Sequence, residues 1–245
     1  MLETVLMNLR STRNVGDLAC SPAAYFDFGQ AQTLDIQQEA PACKRVIFGG
    51  GQIYRQVVDA AIYRTAQAQT RVVWGVGISA RNAADLTYDI LKAACGPISS
   101  RNWNVPGCVY VPCASAMSPL FDDVAEPRHE VVIFAHARKS EGMMQPAGIP
   151  CRTNHGGTLA ETLDFLASGA IVVTNSYHGT YWAMCLGRKV LCLPFSDKFR
   201  QFRDNPVFSD PADWFADLNR AEARPDLLED ARARNRAFYD VVLDL

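Results

Sequence analysis

Short apolar runs alternate along this chain with stretches in which apolar positions recur every three or four residues, a pattern that predicts strands buried on both faces alternating with amphipathic helices. Residues 4–9 (Thr4-Val5-Leu6-Met7-Asn8-Leu9) form the first run. Asn14-Val15-Gly16-Asp17 then turns the chain into a segment of helical potential, Leu18 to Phe26. A second run, Arg45 to Phe48, enters Gly49-Gly50-Gly51, after which Ile53, Val57, Val58, Ala61 and Ile62 keep helical spacing. A third, Arg71 to Ile78, precedes a helix that begins near Asn82 and ends before Gly96-Pro97.

After the proline-containing stretch Pro112 to Pro127 the alternation restarts with the strand Glu130 to Ala135. Thr158-Leu159-Ala160-Glu161 is a capping box that opens a helix running through Ala167, stopped by Gly169, and the strand Ala170 to Thr174 follows. Asn175-Ser176-Tyr177-His178-Gly179 then leads into an apolar helix, Thr180 to Leu186, a stop at Gly187 and the strand Lys189 to Leu193. A last helix spans about Asp226 to Leu243. Repeated strand–helix units of this kind predict an α/β fold with parallel sheets. The division is an N-terminal Rossmann-like domain over residues 1–120, a second over 128–220, and a C-terminal helix over 221–245 amphipathic enough to pack back on the N-terminal half.

Composition narrows the partners. With 24 basic against 26 acidic residues the formal charge is -2, which gives no general attraction for nucleic acid or an anionic membrane, so an anionic ligand must be held locally. No apolar run is long enough to span a bilayer and the first residues lack the pattern of a signal peptide, so the expectation is a cytoplasmic protein without a transmembrane segment, peripheral membrane association being left open. The eight cysteines include no C-x-x-C pair and several lie in apolar runs, which predicts buried reduced thiols and no metal site.

Candidate chemistry sits where parallel strands end and helices begin, since ligands collect there and helix N-termini favour anions. Three loops qualify. In the first, Gly16 permits close approach of a ligand to the backbone, while Asn14 and Asp17 supply polar groups, Asp17 as cap or as acceptor of a hydroxyl proton. In the second, Gly49, Gly50 and Gly51 leave amides open to a ligand, in a spacing that matches neither the dinucleotide fingerprint nor the P-loop. The third places Asn175, Ser176, Tyr177, His178 and Gly179 between a buried strand and a helix start, with His178 the leading candidate for acid–base work. The other histidines, His129, His136 and His155, have weaker cases; His136 and His155 face the same predicted edge, and each fits a solvated loop residue equally well. Arg138 and Lys139 follow the strand Val131 to Ala135 and are the leading cations for an anionic ligand, with Arg13 and Arg81 as candidates to face them.

The ordered set Asn14 to Asp17, Gly49 to Gly51, Trp74-Gly75-Val76-Gly77 and Val173 to Gly179, followed by Cys185 to Val190, resembles the polysaccharide pyruvyl transferase family over roughly residues 5–200. Where many members carry Ser-Arg-Leu-His, this chain has Ser176-Tyr177-His178, as in a variant Ser-Tyr-His-Gly branch that Val111 to Ser115 also resembles. The resemblance implies a GT-B-like pair of Rossmann-like halves with parallel sheets facing a cleft. It implies transfer of a pyruvyl group from phosphoenolpyruvate, used as donor substrate with no cofactor, to a sugar of a surface polysaccharide or its lipid-linked precursor, forming a ketal. In that reaction His178 moves the proton and Asp17 handles the sugar hydroxyl. A nucleotide-sugar glycosyltransferase and a non-catalytic sugar-binding protein fit the same pattern of elements.

Overall fold

The computed structural model describes residues 2–78 and 87–245. The chain folds into two units. One contains residues 2–12, 17–78, 87–117 and 231–245; the other contains 13–16 and 118–230.

In the first unit the strands are β1 (Leu2–Asn8), β2 (Ala31–Asp35), β3 (Cys43–Gly49), β4 (Ala68–Val76), β5 (Ile98–Ser100) and β6 (Val109–Tyr110). They form one sheet in the order β2-β1-β3-β4-β5-β6, with parallel pairing throughout. The helices are α1 (Val15–Ala19), of which Val15 and Gly16 group with the other unit, α2 (Arg55–Arg64) and α3 (Thr87–Ala94). The start near Asn82 expected for α3, and Arg81, lie outside the described residues. The residues that made β1, β3 and β4 readable are the core: Val5, Met7, Val46, Phe48, Val73 and Val76 pack on one face with Val58 and Ala61 of α2 and Leu91 of α3. On the opposite face Leu6, Ile47, Val72 and Trp74 meet Phe238 and Val242. Those two come from the last helix, α6 (Leu227–Leu243), whose residues from Ala231 onward belong to this unit. There the Trp74 indole N–H donates to Asn235 Oδ1 at 2.9 Å, while Phe238 meets the indole edge-on at 5.0 Å.

The second unit repeats the plan. Its strands are β7 (His129–Ala135), β8 (Cys151–Thr153), β9 (Gly169–Thr174), β10 (Lys189–Cys192) and β11 (Val207–Phe208), in the order β11-β10-β9-β7-β8, again all parallel. Helix α4 (Leu159–Ala167) opens with the expected capping box: Thr158 Oγ1 accepts from the Glu161 amide, and Glu161 Oε2 accepts from the Thr158 amide. It is capped at its other end by Ser168, and Gly169 already belongs to the next strand. Helix α5 (Tyr177–Cys185) is buried along its whole length, as its apolar composition on every face requires. It begins three residues earlier than the apolar spacing suggests, because Ser176 caps it by accepting from the Gly179 amide.

Two boundaries differ from the sequence-based division. Residues 13–16 group with the second unit because the Val15 amide donates to Asn154 O at 3.0 Å and the Gly156 amide donates to Arg13 O at 2.9 Å. Residues 221–230 stay there too, the Val190 amide donating to Glu222 O at 3.0 Å. The thiols also correct the expectation of uniform burial. All eight are free, but Cys151 on the short edge strand β8 is exposed, and Cys95 and Cys108 are partly so. Two Rossmann-like halves on parallel sheets make this an α/β protein of GT-B-like construction. Among the described residues no helix is long and apolar enough to cross a membrane.

Candidate functional site

The strand orders make both halves versions of the same doubly wound sheet, in which the chain builds outward from a central strand first to one side and then to the other. Loops leaving the carboxyl ends of the two strands at that reversal diverge and open a crevice. In the first half the reversal lies between β1 and β3; in the second it lies between β7 and β9.

In the second half the β7 loop starts with His136 and the β9 loop with Asn175, and the two are tied together. Asn175 Oδ1 accepts from the His136 amide at 2.6 Å, and its Nδ2 donates to Lys139 O at 2.8 Å and Ser140 Oγ at 3.1 Å. Asn175 was expected to bind substrate; with both ends of its amide committed, it positions the β7 loop instead. The loop after β8 joins them, since Asn154 Oδ1 accepts from the Ala137 amide at 2.9 Å. Asn14 pairs with His155 as an isolated antiparallel bridge, and Asn14 Oδ1 accepts from the Gly16 amide at 3.0 Å. That small turn seats Gly16 against His178. A methyl group at Gly16 would lie 2.0 Å from the imidazole Nδ1, so only glycine fits there.

His178 is therefore in the first turn of α5, 5% exposed, with Trp182 at 5.2 Å and Tyr177 at 5.6 Å. The expected open loop is a closely packed helix start. Three neighbours expected to contact ligand have packing duties. Ser176 spends its hydroxyl on the helix cap. Tyr177 stacks on Phe202 at 4.6 Å and 11° and is buried. Gly179 lets α5 lie against the sheet, because a methyl group there would come within 2.4 Å of the Phe134 ring and 2.7 Å of Thr174 Oγ1.

What remains polar and accessible at this crevice is an imidazole–lysine cluster. His136 is half-buried, 6.5 Å from His155, with Phe195 edge-on at 5.4 Å. Its Nδ1 accepts from the Arg138 amide at 3.1 Å, which puts the proton of the neutral ring on Nε2. Burial first, then the charges of Lys198, His155 and Lys139, push its pKa down to about 4. The ring is thus neutral near pH 7, in a positive environment that an anion would relieve. The Lys198 ammonium lies over the Phe195 and Phe199 rings at 4.8 and 5.3 Å. Arg138 and Lys139 are both exposed, as is Arg13. Lys198 went unnoticed in the sequence, although Asp197-Lys198-Phe199-Arg200 lies just beyond the β10 strand end, where a cation has the same access to a ligand.

At the reversal in the first half the glycine triplet has a different use from the one expected. Methyl groups at Gly49 and Gly50 would come within 2.5 Å of Pro22 Cδ and 2.2 Å of Cys20 O, and the Gly50 amide already donates to Trp74 O at 2.9 Å. These two glycines admit the Cys20–Pro22 segment against the strand end; they do not offer open amides. Gly51 has the left-handed φ of 76°, and a methyl group there would lie 3.9 Å from Asp17 Oδ1, so Asp17 reaches the triplet from the first turn of α1. Beside them is Arg101, which the sequence reading missed because its strand, β5, is three residues long. It is 3% exposed, and its Nε would lie 2.2 Å from a methyl group at Gly77. Burial is the main cause that raises the Cys20 and Cys113 thiols; Asp17 reinforces it and Arg101 opposes it, and both stay protonated. Among the described residues no group of three or more His, Cys, Asp or Glu side chains could hold a metal ion.

No protein-family model matches the sequence, and no curated protein matches it either. Among solved structures, the chain is similar to an uncharacterised protein from Klebsiella pneumoniae, with a TM-score of 0.50 and 14% identity over 82% of this chain and 86% of that one. It is also similar to a protein provisionally described as a UDP-N-acetylglucosamine 2-epimerase from Listeria monocytogenes, with a TM-score of 0.49 and 13% identity over 80% of each chain. At such identities the likeness concerns the fold.

Proposed function

We propose that this chain is a transferase that moves the pyruvyl group of phosphoenolpyruvate onto a sugar, with proton transfer carried by the second half. The observation that supports this most is the seating of Gly16 against the His178 imidazole. It joins the first and third sequence motifs, which lie far apart in the chain, at one reversal point beside His136, His155 and Lys198.

The reaction adds one sugar hydroxyl to C2 of the enol, protonates the methylene carbon to a methyl group and expels inorganic phosphate as a second hydroxyl closes the ketal. Of the two hydroxyl protons lost, one balances the new C–H bond and the other leaves with phosphate. A general acid–base group in reach contributes about 10² to 10⁴ in rate. His178 is assigned that proton, and Asp17 is assigned the sugar hydroxyl. Phosphoenolpyruvate carries a phosphate and a carboxylate, and two lysines, Lys139 and Lys198, already bear on one imidazole, His136. A dianion in that cluster would make His136 easier to protonate, so that it could donate to phosphate oxygen as the leaving group departs.

The test is incubation with phosphoenolpyruvate and a panel of saccharide acceptors, read by release of inorganic phosphate and by mass spectrometry of the sugar, together with thermal-shift titration. A ligand at 100 times its Kd stabilises by about 2.7 kcal/mol. Stabilisation by phosphoenolpyruvate, and loss of at least about 10² in turnover in a folded His178→Ala variant, support the reading. Stabilisation by nucleotide sugars alone replaces it with glycosyl transfer. Full turnover in His178→Ala removes the assignment of the proton.

A further inference from the structure

Strand β6 runs parallel to β5, so the stretch 101–108 must carry the chain from the carboxyl end of one strand back to the amino end of the next. Parallel neighbours normally need a dozen or more residues for this, usually including a helix. Here the return is irregular and tight, with Asn104 and Gly107 at left-handed φ values of 57° and 75°. The turn leaves Trp103 39% exposed, while the other three tryptophans, Trp74, Trp182 and Trp214, are fully buried. Trp103 meets Tyr110 at right angles (5.0 Å, 87°), and the Arg234 guanidinium from α6 lies over the Tyr110 ring at 5.3 Å. Together with Asn104 and Pro106 these side chains line a hollow of about 450 Å³, within the range of about 300–1,000 Å³ usual for small-molecule sites.

We infer that this hollow is a saccharide-binding site, in which the C–H face of a pyranose lies on Trp103 and the ring's oxygens meet Arg234 and Asn104. A sugar ring offers an apolar face bordered by hydroxyl groups, and the hollow offers the complement: one aromatic face bordered by a planar, five-donor guanidinium and a side-chain amide. A nucleobase is a poorer match. It stacks best between parallel faces, whereas these two rings stand perpendicular and Arg234 already covers the face of Tyr110. The site belongs to the return from β5 to β6 and not to either reversal point, so it would hold a part of an oligosaccharide other than the reacting unit.

Because Trp103 is the one tryptophan with substantial exposure, collisional quenching of tryptophan fluorescence by acrylamide reports chiefly on it. The experiment titrates the full chain with maltotetraose, with a glucuronate-containing tetrasaccharide and with uridine monophosphate, in the absence of any donor, so that its outcome does not depend on the transfer reaction. Protection of Trp103 from acrylamide by either tetrasaccharide is expected. In Arg234→Met the concentration needed should rise about tenfold, the equivalent of about 1.4 kcal/mol. Trp103→Ala, whose side chain is at the surface, should abolish the calorimetric signal while the melting temperature stays within a few degrees. Protection by neither tetrasaccharide, protection by uridine monophosphate alone, or undiminished calorimetric binding in Trp103→Ala would each overturn the inference.

Discussion

The two halves share a strand order and differ in what they place at its reversal. At the β1/β3 end the first half has the Asp17 carboxylate, and it acts with the buried Arg101 guanidinium from the β5 end on two thiols that burial keeps protonated. At the β7/β9 end the second half has imidazoles and lysines, with the His136 pKa lowered to about 4 by burial first and by the neighbouring positive charges second. The first set surrounds thiols that stay protonated; the second holds an imidazole whose pKa is pushed down to about 4. The fold fixes where a ligand can be approached in each half, and the side chains at the reversal set the chemistry open to it there.

The sharpest way to break this contrast is to disturb each half with one methyl group. Gly16→Ala puts carbon where the His178 ring now is, and the displaced imidazole should cost turnover at least about 10²-fold, the effect of misplacing a reacting group by roughly 1 Å. Gly50→Ala in the first half meets Cys20 O and needs a left-handed backbone, so its cost should appear in stability, about 1–3 kcal/mol by urea denaturation. Steady-state kinetics and denaturation of both variants decide the matter. If Gly16→Ala turns over normally, the second half is not where the proton moves.

Asn175 comes next. Asn175→Ala leaves the half-buried His136 amide without its acceptor and should lower stability by about 1–3 kcal/mol in urea denaturation. Asn175→Asp keeps the acceptor but sets a buried carboxylate oxygen against Lys139 O, so it should cost at least as much at pH 7. A smaller loss would mean that the acceptor side of the amide alone holds the β7 loop.

The strands that build the reversals explain what the sequence did and did not disclose. β1, β3, β4, β7, β9 and β10 are buried on both faces and read as unbroken apolar runs, so the α/β class was legible. β2 (Ala31–Asp35) and β8 (Cys151–Thr153) are polar edge strands paired on one side only, and nothing in their residues marks them. Without them the strand order, and hence the reversal points, could not be derived. His178 and Asp17 could be named as candidates because a polar group at a strand end is visible in sequence, whereas the close packing of the helix start around His178 was not. The glycines were visible too, but their reason was not: Gly49, Gly50 and Gly179 are set by atoms of Pro22, Cys20, Phe134 and Thr174, and such a contact leaves no local trace. Lys198 and Arg101 follow strands too short or too late in the chain to draw attention as site elements.

The smallest effect concerns His136 itself. If the lysines help hold its ring neutral, Lys198→Met should raise its pKa from about 4 toward the ordinary value of about 6.5, followed by NMR titration of the imidazole C–H signals, with His136→Gln to assign them. The same shift has a consequence for folding, and its sign follows from linkage. A histidine with a folded pKa below its unfolded one binds its proton more weakly when folded, so its contribution is fully present above about pH 6.5 and disappears as pH falls through 6.5 toward 4. Urea midpoints measured at pH 7 and at pH 5 should therefore differ less in His136→Gln than in the parent chain. No such difference would mean that solvent, and not the folded surroundings, sets this imidazole.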